Sequence, residues 1–301
     1  MNVKVLCYHR VNDKLKQDIN LLAVSTDNFR AHMEWLKNNF ELLRFEEEWD
    51  IADKDGVVIT FDDGYKDFIE NALPILEEMN IPATIFVSTM KNQDLKMMWW
   101  DELEYLIFSK NMSSFHLVDE EFEYSWDLTT VGKRKKCYEA LHFLMKNAID
   151  LERRDNWLIQ LWKTVGETRT RPNQYTMLDD KDIKYLINHQ LITIGVHTDT
   201  HPTLRMQDHN TRKKEIEESI KILTDKCERA IETFSYPFGK YMEDYDEYDN
   251  EICKKCGIIK TASTNYGCWR FGDDYYNIKR IGVNNKDIND FINYIRAVDK
   301  C

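Results

Sequence analysis

Seven short apolar, β-branched runs recur along this 301-residue chain, and the segments between them show helical rather than alternating periodicity. The runs occupy residues 3–8, 57–61, 83–87, 191–196, 233–236, 260–263 and 277–283. A strand that is apolar on both faces needs cover on both sides, and a parallel sheet with crossover helices supplies it. Helices are expected at 25–39, 67–79, 211–229, 245–255 and 287–298; the third carries Ile216, Ile220, Leu223 and Cys227 on one stripe. Seven βα-like units without an eighth predict an α/β fold, a distorted, incomplete (β/α)7 barrel.

The pattern breaks at about 97–176, where no strand is expected beyond a short stretch at 115–124. This part reads as a helical insertion into a single domain spanning 1–301, with five tryptophans: Trp99, Trp100, Trp126, Trp157 and Trp162. Trp157 and Trp162 are expected in the insertion's own small core. Trp99 and Trp100 follow the end of the third run and are the candidates to face a ligand.

An apolar content of 43% with 12% aromatics allows a well-packed core and excludes a disordered chain. Acidic residues outnumber basic ones 53 to 41, a formal charge of −12, which weighs against nucleic acid and anionic membranes as partners. No apolar run is long enough to span a bilayer. The chain enters its first strand-like run at once without a signal-peptide pattern, so a cytoplasmic protein is expected. Seven cysteines without framework spacing point to reduced thiols, and Cys253 with Cys256 reads as a chance spacing on a helix ended by Gly257.

Two of the runs end in chemistry. Val57-Val58-Ile59-Thr60-Phe61 leads directly into Asp62-Asp63-Gly64-Tyr65, and the C-terminal edge of α/β strands is where such folds bind ligands. Side chains alternate along a strand, so two consecutive aspartates there take different jobs. One can hold a metal while its neighbour acts as a base. Asp179-Asp180 and Asp273-Asp274 follow no such run and read as solvated turn or helix-start residues. The fourth run leads into His197-Thr198-Asp199-Thr200-His201-Pro202. Histidines four apart can converge on one cation, and Pro202 favours a turn. One carboxylate and two imidazoles leave coordination positions open, the pattern of a catalytic zinc. His197-Thr198-Asp199 also fits the H-x-D of an iron(II) oxygenase, a reading that the strand–helix alternation disfavours.

Together, T-F-D-D-G-Y and H-T-D-T-H-P resemble the polysaccharide deacetylase family, the NodB-homology proteins related to carbohydrate esterase family 4. Phe234-Ser235-Tyr236-Pro237-Phe238-Gly239 is similar to that family's groove-lining strand end. The resemblance covers nearly all of the chain outside the insertion. It implies a partial barrel, a divalent metal (zinc foremost, cobalt or nickel as alternatives) and hydrolysis of N- or O-acyl groups on sugars. It implies Asp62 as general base, Asp63, His197 and His201 as metal ligands, and the Phe238 N–H as an oxyanion donor. Tyr65, Tyr236, Phe238, Trp99 and Trp100 are the substrate-binding candidates.

Two departures from the family pattern carry expectations of their own. Ser235 stands where many members place an arginine that positions the base, and Arg280 on the last run is the candidate substitute. No histidine follows His209, so the late-strand acid is missing from its usual place. His9, closing the first run, resembles the acid of the circularly permuted members, whose acid-bearing strand opens the chain. Strands that are neighbours in a ring keep their geometry under that rearrangement. His116, His142, His189 and His209 are given no role. The expected reaction removes an N-acetyl or N-formyl group from an amino sugar of a polysaccharide or a surface-glycan precursor, nucleotide- or lipid-linked if the protein is cytoplasmic. An O-acetyl carbohydrate esterase and a catalytically decayed carbohydrate-binding protein are the alternatives.

Overall fold

The computed structural model of the chain describes residues 2–13, 15, 17–49, 55–90 and 97–298. All seven expected runs are strands: β1 (Asn2–Tyr8), β2 (Gly56–Phe61), β3 (Ala83–Val87), β4 (Ile192–Val196), β5 (Thr233–Ser235), β6 (Lys260–Tyr266) and β7 (Ile278–Gly282). Each pairs in parallel with the next, and β7 pairs with β1, so the ring closes in sequence order. The result is a seven-stranded parallel barrel ringed by helices. Its distortion lies at two seams: β4 meets β5 only at Val196 and Phe234, and the β6–β7 register shifts between Ala262 and Tyr266.

Period-2 alternation divides the strands. Leu6, Tyr8, Val57, Ile59, Phe61, Ile85 and Val196 pack outward against the helices. Val3, Val5, Val58 and Phe86 form a separate cluster with Phe45, Trp49 and Trp269, near the strand starts where Trp269 pairs with Val3. Phe86 fits there because β4 has Gly195: a Cβ at that position would lie 2.4 Å from the Phe86 ring.

The helices are α1 (Thr26–Asn39), α2 (Leu73–Met79), α3 (Trp99–Glu104), α4 (Val131–Lys146), α5 (Leu151–Val165), α6 (Asp180–Ile187), α7 (His209–Cys227), α8 (Glu247–Lys255) and α9 (Ile288–Val298). The helix expected over 67–79 starts as a π-turn, Phe68–Ala72, and becomes α-helical only at Leu73. Pro74 lacks the N–H that would bond back into the preceding turn. Helix α6 was not expected; the acidic pair before it is a helix start, with Asp179 and Asp182 forming a capping box.

Residues 97–176 contain α3, α4 and α5 around their own core, which includes Leu103, Leu106, Leu141, Trp157 and Trp162. The stretch expected as one strand at 115–124 is an antiparallel hairpin, Ser114–Val118 with Glu123–Asp127, and Trp126 lies on its second strand. No helix among the described residues is long and apolar enough to cross a membrane. The six described cysteines are free thiols, and Cys301 lies outside the described residues.

The close approach at Gly195 is directly testable. Gly195→Val is compatible with strand backbone, so its effect isolates overpacking against Phe86 and the Thr233 hydroxyl, 2.6 Å from such a Cβ, and should cost about 1–3 kcal/mol. Urea unfolding should show a lower midpoint at unchanged slope. A wild-type midpoint would contradict the packing described.

Candidate active site

The barrel's interior ends in a buried ion pair. Arg280, in the middle of β7 and 1% exposed, points into the ring and grips Asp62 with both terminal nitrogens. Its Nη1 lies 2.7 Å from Asp62 Oδ1 and its Nη2 2.6 Å from Oδ2. Its Nε donates to the Ser263 carbonyl at 2.8 Å, and Nη1 also reaches the Thr60 hydroxyl at 3.2 Å. Ser235 shares the job: its hydroxyl donates to Asp62 Oδ2 at 3.1 Å and accepts from Arg280 Nη2 at 2.9 Å. Burial alone would push the Asp62 carboxyl up, but Arg280, seconded by His197, outweighs it and holds the group well below the usual carboxylate range. The expected substitute for the arginine absent at Ser235 is therefore in contact with the expected base, approaching from the neighbouring part of the ring.

Asp63 leaves the strand's alternation. Its φ of 76° and that of Gly64, 91°, turn the chain sharply after β2 and aim the Asp63 carboxylate towards the loop after β4. There His197 Nε2 lies 3.4 Å and His201 Nε2 3.5 Å from the same Asp63 oxygen, all three groups buried. Among the described residues, neither Asp63 oxygen has a hydrogen-bond partner. His197 Nδ1 lies 2.6 Å from the Ser235 carbonyl, which can only accept, so this nitrogen carries the hydrogen. In the neutral ring Nε2 then turns a lone pair on a carboxylate oxygen, an arrangement that repels unless a cation lies between them. Burial, followed by the charge of His197, pushes His201 down to about 3, so its ring is neutral at pH 7. For His197, burial is outweighed by Asp62 and Asp63, and the net shift is upward. Three buried donors with an orphaned carboxylate fit a divalent ion held by Asp63, His197 and His201.

His9 follows β1, whose register sets Tyr8 beside Phe61; the Asp62 N–H donates to the Tyr8 carbonyl at 3.0 Å. A His9 ring nitrogen, the Cys7 sulfur and an Asp62 oxygen all lie within 4.8 Å of one another. Burial raises Cys7 far above the ordinary thiol range, so it is a neutral neighbour of Asp62. Phe238 has a φ of 58° and sets its ring edge-on to His201 at 4.9 Å, and its N–H donates to no acceptor among the described residues.

The other aromatic candidates are placed differently from the expectation. Tyr236 is fully buried, stacked on Tyr245, with its hydroxyl bonded to Asn250 and Cys253, so it presents no face to a sugar. Trp99 and Trp100 are each 4% exposed and, with the fully buried Tyr65, belong to the insertion's core. Trp100 packs edge-on against His201 at 4.5 Å and donates to the Tyr65 hydroxyl, which in turn donates to Asp101 at 2.7 Å. Trp100 thus braces His201, Trp99 lines a cavity with Arg154, Asp199 and Thr200, and Tyr65 and Tyr236 are held by buried hydroxyl partners. The positions of Tyr65 and Tyr236 beside strand ends follow from the sequence; the faces of the four do not.

The chain belongs to the polysaccharide deacetylase family: that family's sequence profile matches residues 50–107 and 139–258. The matched segments hold Asp62, Asp63, His197, His201, Ser235 and Phe238, whereas β1 with His9 and β7 with Arg280 lie outside them. A Bacillus subtilis (strain 168) protein with the provisional name polysaccharide deacetylase YxkH is 36% identical over 90 residues, 28% of this chain and 30% of that protein. Among solved structures, the Bacillus cereus polysaccharide deacetylase BC0361 superposes with a TM-score of 0.61 at 20% identity, covering 98% of this chain and 69% of that one. The Streptococcus pyogenes deacetylase PplD, solved with acetate, superposes with a TM-score of 0.60 at 17% identity, covering 98% of both chains. At such identities the likeness establishes the fold.

The Asp62–Arg280 pair predicts a stability effect. Arg280→Met strands a buried carboxylate and should cost about 3–5 kcal/mol, measured by urea unfolding. Adding Asp62→Asn should recover part of the loss. An Arg280→Met midpoint equal to wild type would contradict the pairing.

Proposed function

We propose that this chain is a divalent-metal-dependent hydrolase that removes an N-acyl group, acetyl or formyl, from an amino sugar. The observation that carries the reading is the orphaned Asp63 carboxylate facing His197 and His201, one residue from an Asp62 held ionised by Arg280. A divalent ion held by Asp63, His197 and His201 would supply Lewis acidity and lower the pKa of a bound water from 15.7 to about 7. Zinc suits this donor set, with cobalt or nickel as alternatives.

The remaining steps belong to the chain's own groups. Asp62 accepts a proton from the attacking water as the new C–O bond forms. Arg280 and Ser235 fix the carboxylate so that one oxygen faces the water. The Phe238 N–H, without an acceptor among the described residues and turned by its positive φ, donates to the oxygen on which negative charge develops. An amine leaves poorly unless protonated, and a protonated His9, whose ring lies beside Asp62, delivers that proton as the C–N bond breaks. The products are a carboxylate and a free amino sugar. In this proposal the barrel and the 97–176 insertion form one catalytic unit, and the substrate is a polysaccharide or a nucleotide- or lipid-linked glycan precursor in the cytoplasm.

The test is amine and carboxylate release from a panel of N-acetyl, N-formyl and O-acetyl sugars. N-deacylation that is abolished by chelation and restored by zinc or cobalt is expected; release from O-acetyl sugars alone would contradict the proposal. Asp62→Asn should retain metal while losing about 10²–10⁴ in rate. His201→Ala should lose metal, read by elemental analysis of the folded protein. Full activity in Asp62→Asn would sink the assignment of the base.

A further inference from the structure

The loop that carries the histidines is held in a conformation its residues do not favour. Thr198 has a φ of 62° and His201 a φ of 53°, the left-handed region that β-branched residues in particular avoid. Such geometry persists only when the surroundings determine it. On the barrel side, the Thr89 and Met90 N–H groups donate to the Thr198 and Asp199 carbonyls at 3.1 and 3.0 Å. The Ser88 hydroxyl donates to the His197 carbonyl at 2.9 Å and the Thr89 hydroxyl to the Asp199 carboxylate. On the other side stand two charged side chains, each 6% exposed, that belong to neither motif.

Glu215, on the buried stripe of α7, takes the loop's donors. Its Oε2 accepts from the Asp199 N–H at 3.0 Å and the Thr200 N–H at 2.9 Å, and its Oε1 accepts from the Thr200 hydroxyl at 2.8 Å. Arg154, on α5 of the insertion, takes the acceptors: Nη2 donates to the Thr200 carbonyl at 2.9 Å and Nη1 to that of His201 at 3.4 Å. Its guanidinium lies 5.6 Å above the Trp99 ring, and Trp100, next in the chain, braces the His201 ring. One side chain thus takes N–H groups and the other carbonyls, so the Asp199 and Thr200 N–H groups and the Thr200 carbonyl all find partners more than a dozen residues away.

We infer that Glu215 and Arg154 are positioning residues for the metal ligand His201, and that the insertion is thereby a working part of the metal site rather than an appended subdomain. The inference rests on the metal reading of Asp63, His197 and His201. Its logic is that of an outer shell: a ligand loop released from its partners samples geometries in which His201 Nε2 no longer faces Asp63, and ion affinity falls. Neither residue reaches the reacting atoms, so the effect should fall on the metal and not on proton transfer.

The test titrates metal-free protein with Zn²⁺ and Co²⁺ against a competing chelator, with circular dichroism confirming that each variant is folded. Glu215→Ala and Arg154→Met should each bind about 10–100-fold more weakly than wild type, and the Co²⁺ absorption spectrum should change. Glu215→Gln, which keeps an acceptor for the two N–H groups, should restore most of the affinity. Arg154→Lys, with a single ammonium in place of the fork, should lie between. A purely architectural role predicts lower metal-free stability with unchanged affinity. That result in any folded variant of the Ala and Met pair overturns the inference; should both fail to fold, unchanged affinity in Arg154→Lys overturns it instead. A wild-type protein that binds neither ion overturns the metal reading itself.

Discussion

The structure depends on one buried charge pair, Asp62 with Arg280, inside a closed ring of strands. Neither partner is tolerable alone: an unpaired guanidinium or carboxylate at that depth carries a desolvation penalty of several kcal/mol. Paired, each holds the other ionised. Arg280 is fixed further by Ser263 and Thr60, so Asp62 is oriented by the barrel wall and not by a flexible loop. The same pair ties the last barrel strand to the second, with the first between them, and so locates His9 beside the carboxylate.

From that anchor the site is built outward by turns that break strand geometry. Asp62 continues the inward alternation of Val58 and Thr60, whereas Asp63, one residue on, needs a left-handed backbone to face the histidines. The two aspartates can therefore serve two functions from adjacent positions. The insertion reaches both motifs, through Tyr65, Asp101 and Trp100 at the first and through Arg154 at the second. Its core is distinct from that of the main barrel cluster and takes in Tyr65 from the first motif.

The barrel was legible in the sequence because its strands are apolar on both faces and bounded by helical segments, a signal that survives without knowing any contact. The motif residues were legible for a related reason: Asp62, Asp63, His197 and His201 interrupt such runs at their C-terminal ends. Arg280 could be guessed because the family resemblance leaves the base without an arginine at Ser235, and the last apolar run carries one. Other features left weaker traces. The hairpin turns through Asp119-Glu120-Glu121-Phe122, without the glycine or asparagine that marks a tight turn, so it read as a single strand. Tyr65, Tyr236, Trp99 and Trp100 were placed in the groove because adjacency to a strand end gives the backbone's position, whereas burial and hydroxyl partners decide the face. Glu215 had a signal, a carboxylate beside Ile216 on an apolar helical stripe, but its partner loop is set by tertiary packing alone. Ser235 looked like a lost function and is instead a shared one, since its hydroxyl bridges the base and the arginine.

The central claim is a division of labour between neighbouring carboxylates, and anomalous diffraction from crystals loaded with zinc or cobalt tests it most directly. The account predicts one strong peak bounded by Asp63, His197 and His201, with Asp62 uncoordinated and still gripped by Arg280. A peak coordinated by Asp62, or one lying away from the two imidazoles, would contradict it.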